Sequence, residues 1–193
     1  MFKTLLTAAA FALAAPIAMA GHHNETEMVG PAIGADHSAF TALHADGFDV
    51  TLADISGTNG AVVVFSRSVG WCPYCQKQAK ELIDAKEPLQ ELGFTLSLIT
   101  YDSPETLTGF ANKHGVNYNM LSDTDSAMID AFGLRNHDVK DGSRFDGIPH
   151  PAIVYLSPEG EVLAVLREEG YKDRPAVETV LETATALTAD QAD

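Results

Sequence analysis

The chain is poor in cysteine, in basic residues and in long apolar runs. Its 193 residues include two cysteines, and 12 lysines and arginines stand against 27 acidic residues, for a formal net charge of −15. A surface this acidic repels phosphate backbones and anionic lipids, so we expect no nucleic-acid partner. After residue 20 no apolar run is long enough to span a bilayer, so we expect no stable membrane association of the mature protein.

The first twenty residues have the features of a secretory signal peptide. Lys3 gives a positive start, residues 5–13 are apolar, and Ala-Met-Ala at 18–20 is a small-residue cleavage pattern. A membrane anchor is the alternative, but the apolar stretch is short and Pro16 interrupts it. The sequence therefore predicts cleavage after Ala20 and a periplasmic or otherwise exported location.

The remaining chain is predicted to form one domain. Residues 21–46 are rich in Gly, His, Asn and Ala with little periodicity, which indicates a flexible leader. The domain itself is expected over residues 47–187, followed by a short tail at 188–193. No internal repeat is visible.

Within the domain the pattern alternates between strands and helices. Strands are predicted at 48–52, 61–65, 94–101, 119–121, 152–156 and 161–166, and helices from the cysteines to Pro88 and at 104–113, 125–132 and 176–187. Helical crossovers favour parallel strands, while the turn at 157–160 indicates a late antiparallel hairpin. We therefore expect an α/β fold, a central mixed sheet with helices on both faces.

The two cysteines stand together in the run Trp71-Cys72-Pro73-Tyr74-Cys75. A disulfide that closes so short a loop constrains the unfolded chain very little, so an inert structural bridge is a poor explanation. A zinc site would need two further ligands, and no second cysteine pair exists. The pair is therefore predicted to be a redox-active dithiol, with no metal and no other cofactor.

The position of each cysteine indicates its role. Cys72 lies between a buried strand and a helix, where free backbone N–H groups and the helix dipole lower a thiol pKa, and Pro73 suits the first helical turn. Cys75 lies one turn further on the inward face. Cys72 is then the nucleophile, and Cys75 resolves the mixed disulfide that Cys72 forms with a substrate. Trp71 and Tyr74 offer apolar surface on which a partner can rest.

Three segments carry a family resemblance. Residues 62–65 with 71–75, residues 120–134, and residues 149–160 resemble the thioredoxin-like redoxin family of alkyl hydroperoxide reductase and thiol-specific antioxidant proteins and their exported thiol-disulfide relatives. The match runs over about residues 47–186 and implies a thioredoxin-like fold. It also implies that Pro151 is a cis-proline facing the dithiol, preceded by His150, in a loop that holds the substrate backbone. Pro149 is the rival candidate for the cis bond.

Two departures from the family pattern bear on the substrate. Peroxidatic members carry Thr or Ser three residues before the reactive cysteine, where Val69 stands, with Ser68 one position away. They also carry an Arg where Pro151 is placed by the resemblance. Arg67 or Arg144 could replace that donor, although an arginine is more often a surface charge. Peroxide reduction needs such donors for the leaving oxygen.

The sequence therefore favours an exported thiol-disulfide oxidoreductase that acts on protein dithiols or disulfides and exchanges electrons with a redox partner protein. The alternative is a peroxiredoxin-like thiol peroxidase with antioxidant activity, in which peroxide oxidises Cys72 to a sulfenic acid that Cys75 resolves. A third possibility is a metal-binding or redox-sensing module that uses His22 and His23. Ser66 replaces the acidic residue that thioredoxins bury, so the usual proton relay to Cys75 is in doubt.

Overall fold

The computed structural model describes residues 29–170 and 172–190. Its strands are β1 Thr41–His44, β2 Asp49–Thr51, β3 Gly60–Phe65, β4 Phe94–Thr100, β5 Asn119–Ser122, β6 Ala152–Leu156 and β7 Val162–Leu166. They form one sheet in the order β2-β1-β5-β4-β3-β6-β7. The predicted signal peptide lies outside the described residues, as do His22 and His23.

The helices are α1 Pro73–Glu81, α2 Lys86–Glu91, α3 Pro104–His114, α4 Ala127–Ala131 and α5 Val177–Asp190, and 3-10 turns occur at Ala53–Ile55 and Leu82–Ala85. The predicted α/β class is confirmed. β3, β4 and β5 are parallel, whereas β6 pairs antiparallel with β3 and forms the predicted hairpin with β7. Within the described residues, no helix combines the length and apolarity that crossing a membrane requires.

Strand β3 is the centre of the core and leads directly to the cysteines. All six of its residues are buried, as its continuous β-branched run predicts. Val62 and Val64 face a layer formed by α1, α2, α3 and α5. Val63 and Phe65 face the opposite side, where α4 and the segment around Phe40 pack. With both faces covered, the end of β3 is a fixed platform for the loop that follows.

The described part of the predicted leader, residues 29–46, is instead a packed part of the domain. Phe40 is 2% exposed, and β1 adds to the sheet by pairing antiparallel with β5. His37 stacks on Phe132 with ring centroids 3.8 Å apart. A single apolar anchor and a four-residue strand suffice to hold this segment, and neither produces a periodic pattern. The predicted boundary at residue 47 is therefore wrong for this part of the chain.

The helix after the cysteines is interrupted earlier than expected. α1 gives way to a 3-10 turn at Leu82–Ala85, and α2 then contains Pro88. Pro88 occupies the first turn of α2, where a missing N–H removes no intrahelical hydrogen bond. By contrast, α3 ends as predicted at Gly115, whose φ of 68° is the left-handed conformation that glycine adopts easily.

Candidate active site

The two cysteines form a disulfide at the start of α1. Cys72 is the N-cap residue of the helix and has an extended backbone, and Pro73 follows in the first turn. The two Cα atoms are 5.3 Å apart, and the backbone N–H of Cys75 points at the sulfur of Cys72 at 3.3 Å. The predicted pair is thus brought together and is present in its oxidised form.

Burial does not distinguish the two sulfurs. Cys72 is 1% exposed and Cys75 is 0% exposed, so the difference in exposure expected from the sequence is absent. The helix terminus does distinguish them. The sulfur of Cys72 accepts a backbone N–H of the first turn, and such N–H groups together with the helix dipole stabilise a thiolate there.

An arginine lies against each sulfur. Nη2 of Arg67 is 3.5 Å from Sγ of Cys72, and Nη2 of Arg174 is 3.5 Å from Sγ of Cys75. Burial, and then the nearby charge of Arg67, lowers the pKa of Arg174 to about 10. The sequence named Arg67 only as a possible donor and missed Arg174, which lies 99 residues from Cys75 in the loop between β7 and α5. No local pattern marks such a residue.

A buried carboxylate holds the loop that precedes Cys72. Asp102, just beyond the end of β4, accepts hydrogen bonds from the hydroxyl of Ser68 at 2.7 Å, from the backbone N–H of Val69 at 2.7 Å and from the hydroxyl of Thr100 at 3.1 Å. The oxygen of Ser68 in turn accepts the N–H of Gly70 at 3.0 Å. Sequence reasoning missed Asp102, because an aspartate after a strand resembles an ordinary turn residue.

A second set of contacts fixes the indole of Trp71. Its Nε1 donates to the hydroxyl of Tyr101 at 2.8 Å, which donates to the carbonyl of Arg144 at 3.0 Å. The indole also packs edge-on against Phe145, and the guanidinium of Arg144 lies over that ring. Trp71 and Tyr74 are each 38% exposed, so both present solvent-exposed ring surface next to the dithiol in the sequence. Arg144 is thus part of the aromatic contact around Trp71.

The predicted cis-proline is not found. No cis peptide bond occurs among the described residues, so Pro151 and its rival Pro149 both follow trans bonds. Pro149 forms an antiparallel bridge with Arg135, and the N–H of His150 donates to the carbonyl of Leu134 at 2.7 Å. These contacts tie the segment before β6 to the residues around Leu134.

The structure nevertheless brings His150 and Pro151 to the site. Both line a cavity of about 180 Å³ whose wall also includes Arg67 and Arg174, the two residues that contact the sulfurs. Burial, and then the charge of Arg167, lowers the pKa of His150. His150 and Pro151 thus share this cavity with both arginines, while their role in holding a substrate against the dithiol stays a prediction and the bond before Pro151 is trans.

Comparison with known proteins agrees with this site. The sequence pattern of the AhpC/TSA family matches residues 33–165. Peroxiredoxin Bcp of Escherichia coli K12 is 30% identical over 123 residues, which cover 64% of this chain and 77% of that protein. Thiol-disulfide oxidoreductase ResA of Bacillus subtilis is 24% identical over 135 residues, which cover 69% of this chain and 66% of that protein.

The fold comparison leads to the same group. The crystal structure of AhpC from Enterococcus faecalis superimposes with a TM-score of 0.69 at 20% identity, covering 84% of this chain and 97% of that one. This likeness shows the fold. The relatives named above are both oxidoreductases, and this chain contains the Cys72–Cys75 disulfide described above. From its fold, its dithiol and its sequence, this chain is an oxidoreductase that belongs to the AhpC/TSA family.

Proposed function

We propose that the protein is a thiol-disulfide oxidoreductase. The observation that carries the proposal is that Cys72 and Cys75 are bonded within the first turn of one helix. In the reduced state, the thiolate of Cys72 attacks a substrate disulfide and one substrate sulfur leaves. Cys75 then attacks the sulfur of Cys72 in the mixed disulfide, and the second substrate sulfur leaves. The dithiol is oxidised and the substrate disulfide is reduced; the reverse sequence transfers the disulfide to a substrate.

The loop before Cys72 supports disulfide exchange over peroxide reduction. Val69 offers no hydroxyl to a peroxide, and its backbone N–H donates to Asp102. The hydroxyl of Ser68 has one proton, which it donates to Asp102, and Ser68 is fully buried. The hydroxyl of Ser68 and the backbone N–H of Val69 are therefore already used to hold the loop itself.

The exposed aromatic side chains support a protein substrate. Trp71 and Tyr74 flank the cysteines in sequence, and each keeps more than a third of its surface exposed. Trp71 is held in place through Tyr101, so little side-chain entropy is lost when a partner packs on it. A substrate peptide that rests on these rings would present its disulfide at the start of α1.

A thiol peroxidase is the second candidate. The relative from Escherichia coli is named a peroxiredoxin, and the guanidinium of Arg67 lies against the sulfur of Cys72. A cation at that position would stabilise the negative oxygen that leaves when the sulfur attacks a peroxide. In that reaction Cys72 becomes a sulfenic acid, and attack by Cys75 releases water and forms the same disulfide.

The rate of oxidation of the reduced protein separates the two candidates. Trp71 is the single tryptophan, so its fluorescence reports oxidation of the neighbouring dithiol. We expect a protein disulfide to oxidise the dithiol at least about tenfold faster than hydrogen peroxide at equal concentration. Faster oxidation by peroxide would establish the peroxidase instead. The Cys72→Ala variant is the control, because it should respond to neither oxidant.

We further propose that the protein acts after export. The proposal rests on the signal-peptide features of residues 1–20, with cleavage after Ala20. It is tested by expressing the full chain in a bacterium with a periplasm, fractionating the cells and sequencing the mature N-terminus. A mature protein that begins at Gly21 in the periplasmic fraction is the expected result, and an uncleaved cytoplasmic chain would contradict it.

A further inference from the structure

The resolving residue, Cys75, must react as a thiolate although its sulfur lies in a buried environment. Cys75 is 0% exposed, and burial in apolar surroundings raises the pKa of a thiol. A thiol that keeps its proton attacks a mixed disulfide poorly, because the thiolate is the nucleophile. Ser66, at the position of the acid that thioredoxins bury, has no carboxylate that could take this proton.

A positively charged side chain lies beside the sulfur of Cys75. Arg174 lies in the loop between β7 and α5, and its Nη2 is 3.5 Å from Sγ of Cys75. The loop is closed by a hydrogen bond of 2.9 Å from the N–H of Asp173 to the carbonyl of Gly170. A guanidinium at this distance stabilises a thiolate through charge and hydrogen bonding, and it is itself always protonated at neutral pH.

The surroundings of Arg174 also favour a negative charge at this place. Its pKa is lowered to about 10, first by burial and then by the charge of Arg67. Two cations thus lie beside two sulfurs that are neutral while the disulfide is intact. Reduction places negative charge on sulfur beside them. The other charged or titratable groups of this cavity are Asp138, His150, Arg167, Glu168, Glu169 and Asp173.

We propose that Arg174 is a catalytic residue of the resolving step, in which its guanidinium holds Cys75 as a thiolate. In this step the Cys75 thiolate attacks Sγ of Cys72 in the mixed disulfide. The Cys72–Cys75 bond forms, the bond from Cys72 to the substrate sulfur breaks, and the substrate leaves as a thiolate. No outside oxidant or reductant is needed. The inference rests on the proposed function only in taking Cys75 as the resolving residue.

The test follows the two steps separately with the neutral reagent 2,2′-dithiodipyridine and the reduced full chain. Attack by Cys72 releases one thiopyridone, and attack by Cys75 on the mixed disulfide releases a second. Raising the reagent concentration accelerates the first release, whereas the second reaches a plateau that is set by Cys75. In the Arg174→Gln variant we expect the plateau at neutral pH to fall roughly tenfold, since a hydrogen bond to a charged group is lost. The first release should change by less than about twofold.

The matched control is Arg167→Gln, which removes the same charge from the same cavity. Arg167 is exposed and donates to the carbonyl of Val29. In Arg167→Gln the plateau rate of the second release should stay within about twofold of the wild-type value. The Arg174→Lys variant should recover most of the lost rate, because it retains the positive charge. A plateau in Arg174→Gln equal to that of the wild type, or an equal loss in Arg167→Gln, would overturn the proposal.

A pH profile of the wild-type plateau gives a second readout that does not depend on folding of a variant. We expect the plateau to rise with an apparent pKa below the ordinary thiol value of about 8.5. A value at or above that figure would contradict the proposal. Failure of the proposed function itself looks different, because hydrogen peroxide would then oxidise the reduced wild-type protein faster than a protein disulfide, whatever the plateau measured with the reagent.

Discussion

The two loops that meet at the dithiol are built in opposite ways. Residues 66–71, before Cys72, are fixed by hydrogen bonds to residues just after β4. Asp102 accepts from a backbone N–H and a hydroxyl of this loop, and the hydroxyl of Tyr101 accepts from the indole of Trp71. Residues 167–170 and 172–175, in the loop beside Cys75, are largely exposed and include several charged side chains, and Arg174 reaches the sulfur. The difference teaches that the first loop fixes the position of the reacting atoms and places Arg67 beside Cys72, whereas the second loop contributes a charge, Arg174, beside Cys75.

The largest effect is expected at the anchor of the first loop. In Asp102→Ala the hydroxyl of Ser68 and the N–H of Val69 lose a buried acceptor, and each such loss costs about 1–3 kcal/mol. The free energy of unfolding should fall by about 3 kcal/mol, as measured by urea denaturation. Asp141→Ala, at an exposed loop position, is the control and should change it by less than about 0.5 kcal/mol. A loss below about 1 kcal/mol in Asp102→Ala would remove the basis for calling this loop rigid.

A smaller effect is expected where α1 ties back to the same loop. The amide of Gln76 donates to the carbonyl of Val69 at 2.8 Å, so Gln76→Ala should lower the free energy of unfolding by about 1 kcal/mol. Gln90→Ala changes the same residue type at an exposed position of α2 and serves as the matched control. Equal losses in the two variants would mean that the amide does not hold the loop.

A still smaller change is expected at the indole. Tyr101→Phe removes the acceptor for Nε1 of Trp71 and the donor to the carbonyl of Arg144. These groups are partly solvated, so the free energy of unfolding should fall by only about 0.5 kcal/mol. Fluorescence of the single tryptophan should nevertheless change in anisotropy, because the ring gains freedom. Unchanged anisotropy would show that packing on Phe145 alone holds the indole.

The cavity that the second loop shares with His150 should respond to pH instead. Burial lowers the pKa of His150 in the folded protein, so at pH values between the folded and unfolded pKa the unfolded chain binds more protons. Stability is therefore full above the unfolded value and declines as pH falls through the folded value. Urea denaturation on both sides of that range should show a smaller decline in His150→Gln than in the wild type. His137→Gln, an exposed neighbour, should keep the wild-type decline, and the same decline in both variants would contradict this account.

The parts of the molecule that the sequence predicted are those with local patterns. The apolar run of β3 predicts a buried strand, the segment at Cys72 and Pro73 predicts the start of a helix, and Gly115 predicts a helix end; all three are confirmed. Helices on both faces of a mixed sheet follow from the same alternation. Such features depend on neighbours in the chain, so the chain alone reveals them.

The parts that were missed depend on distant contacts. Arg174 meets Cys75 across 99 residues, and Asp102 meets Ser68 across 34, so neither has a local signature. The cis bond predicted before Pro151 is wrong, and the contact of the neighbouring His150 with Leu134 likewise joins segments that are distant in the chain. Phe40 and β1 were assigned to a flexible leader, because the sequence of this segment shows no hydrophobic periodicity.

One measurement tests the central claim most directly, namely that Cys72 is the nucleophile and Cys75 the resolving residue. The reduced Cys75→Ala and Cys72→Ala variants are each exposed to a disulfide-bonded protein substrate, and the adducts are mapped by mass spectrometry. The account predicts a stable mixed disulfide on Cys72 in Cys75→Ala and little adduct on Cys75 in Cys72→Ala. An adduct that forms only through Cys75 would contradict it.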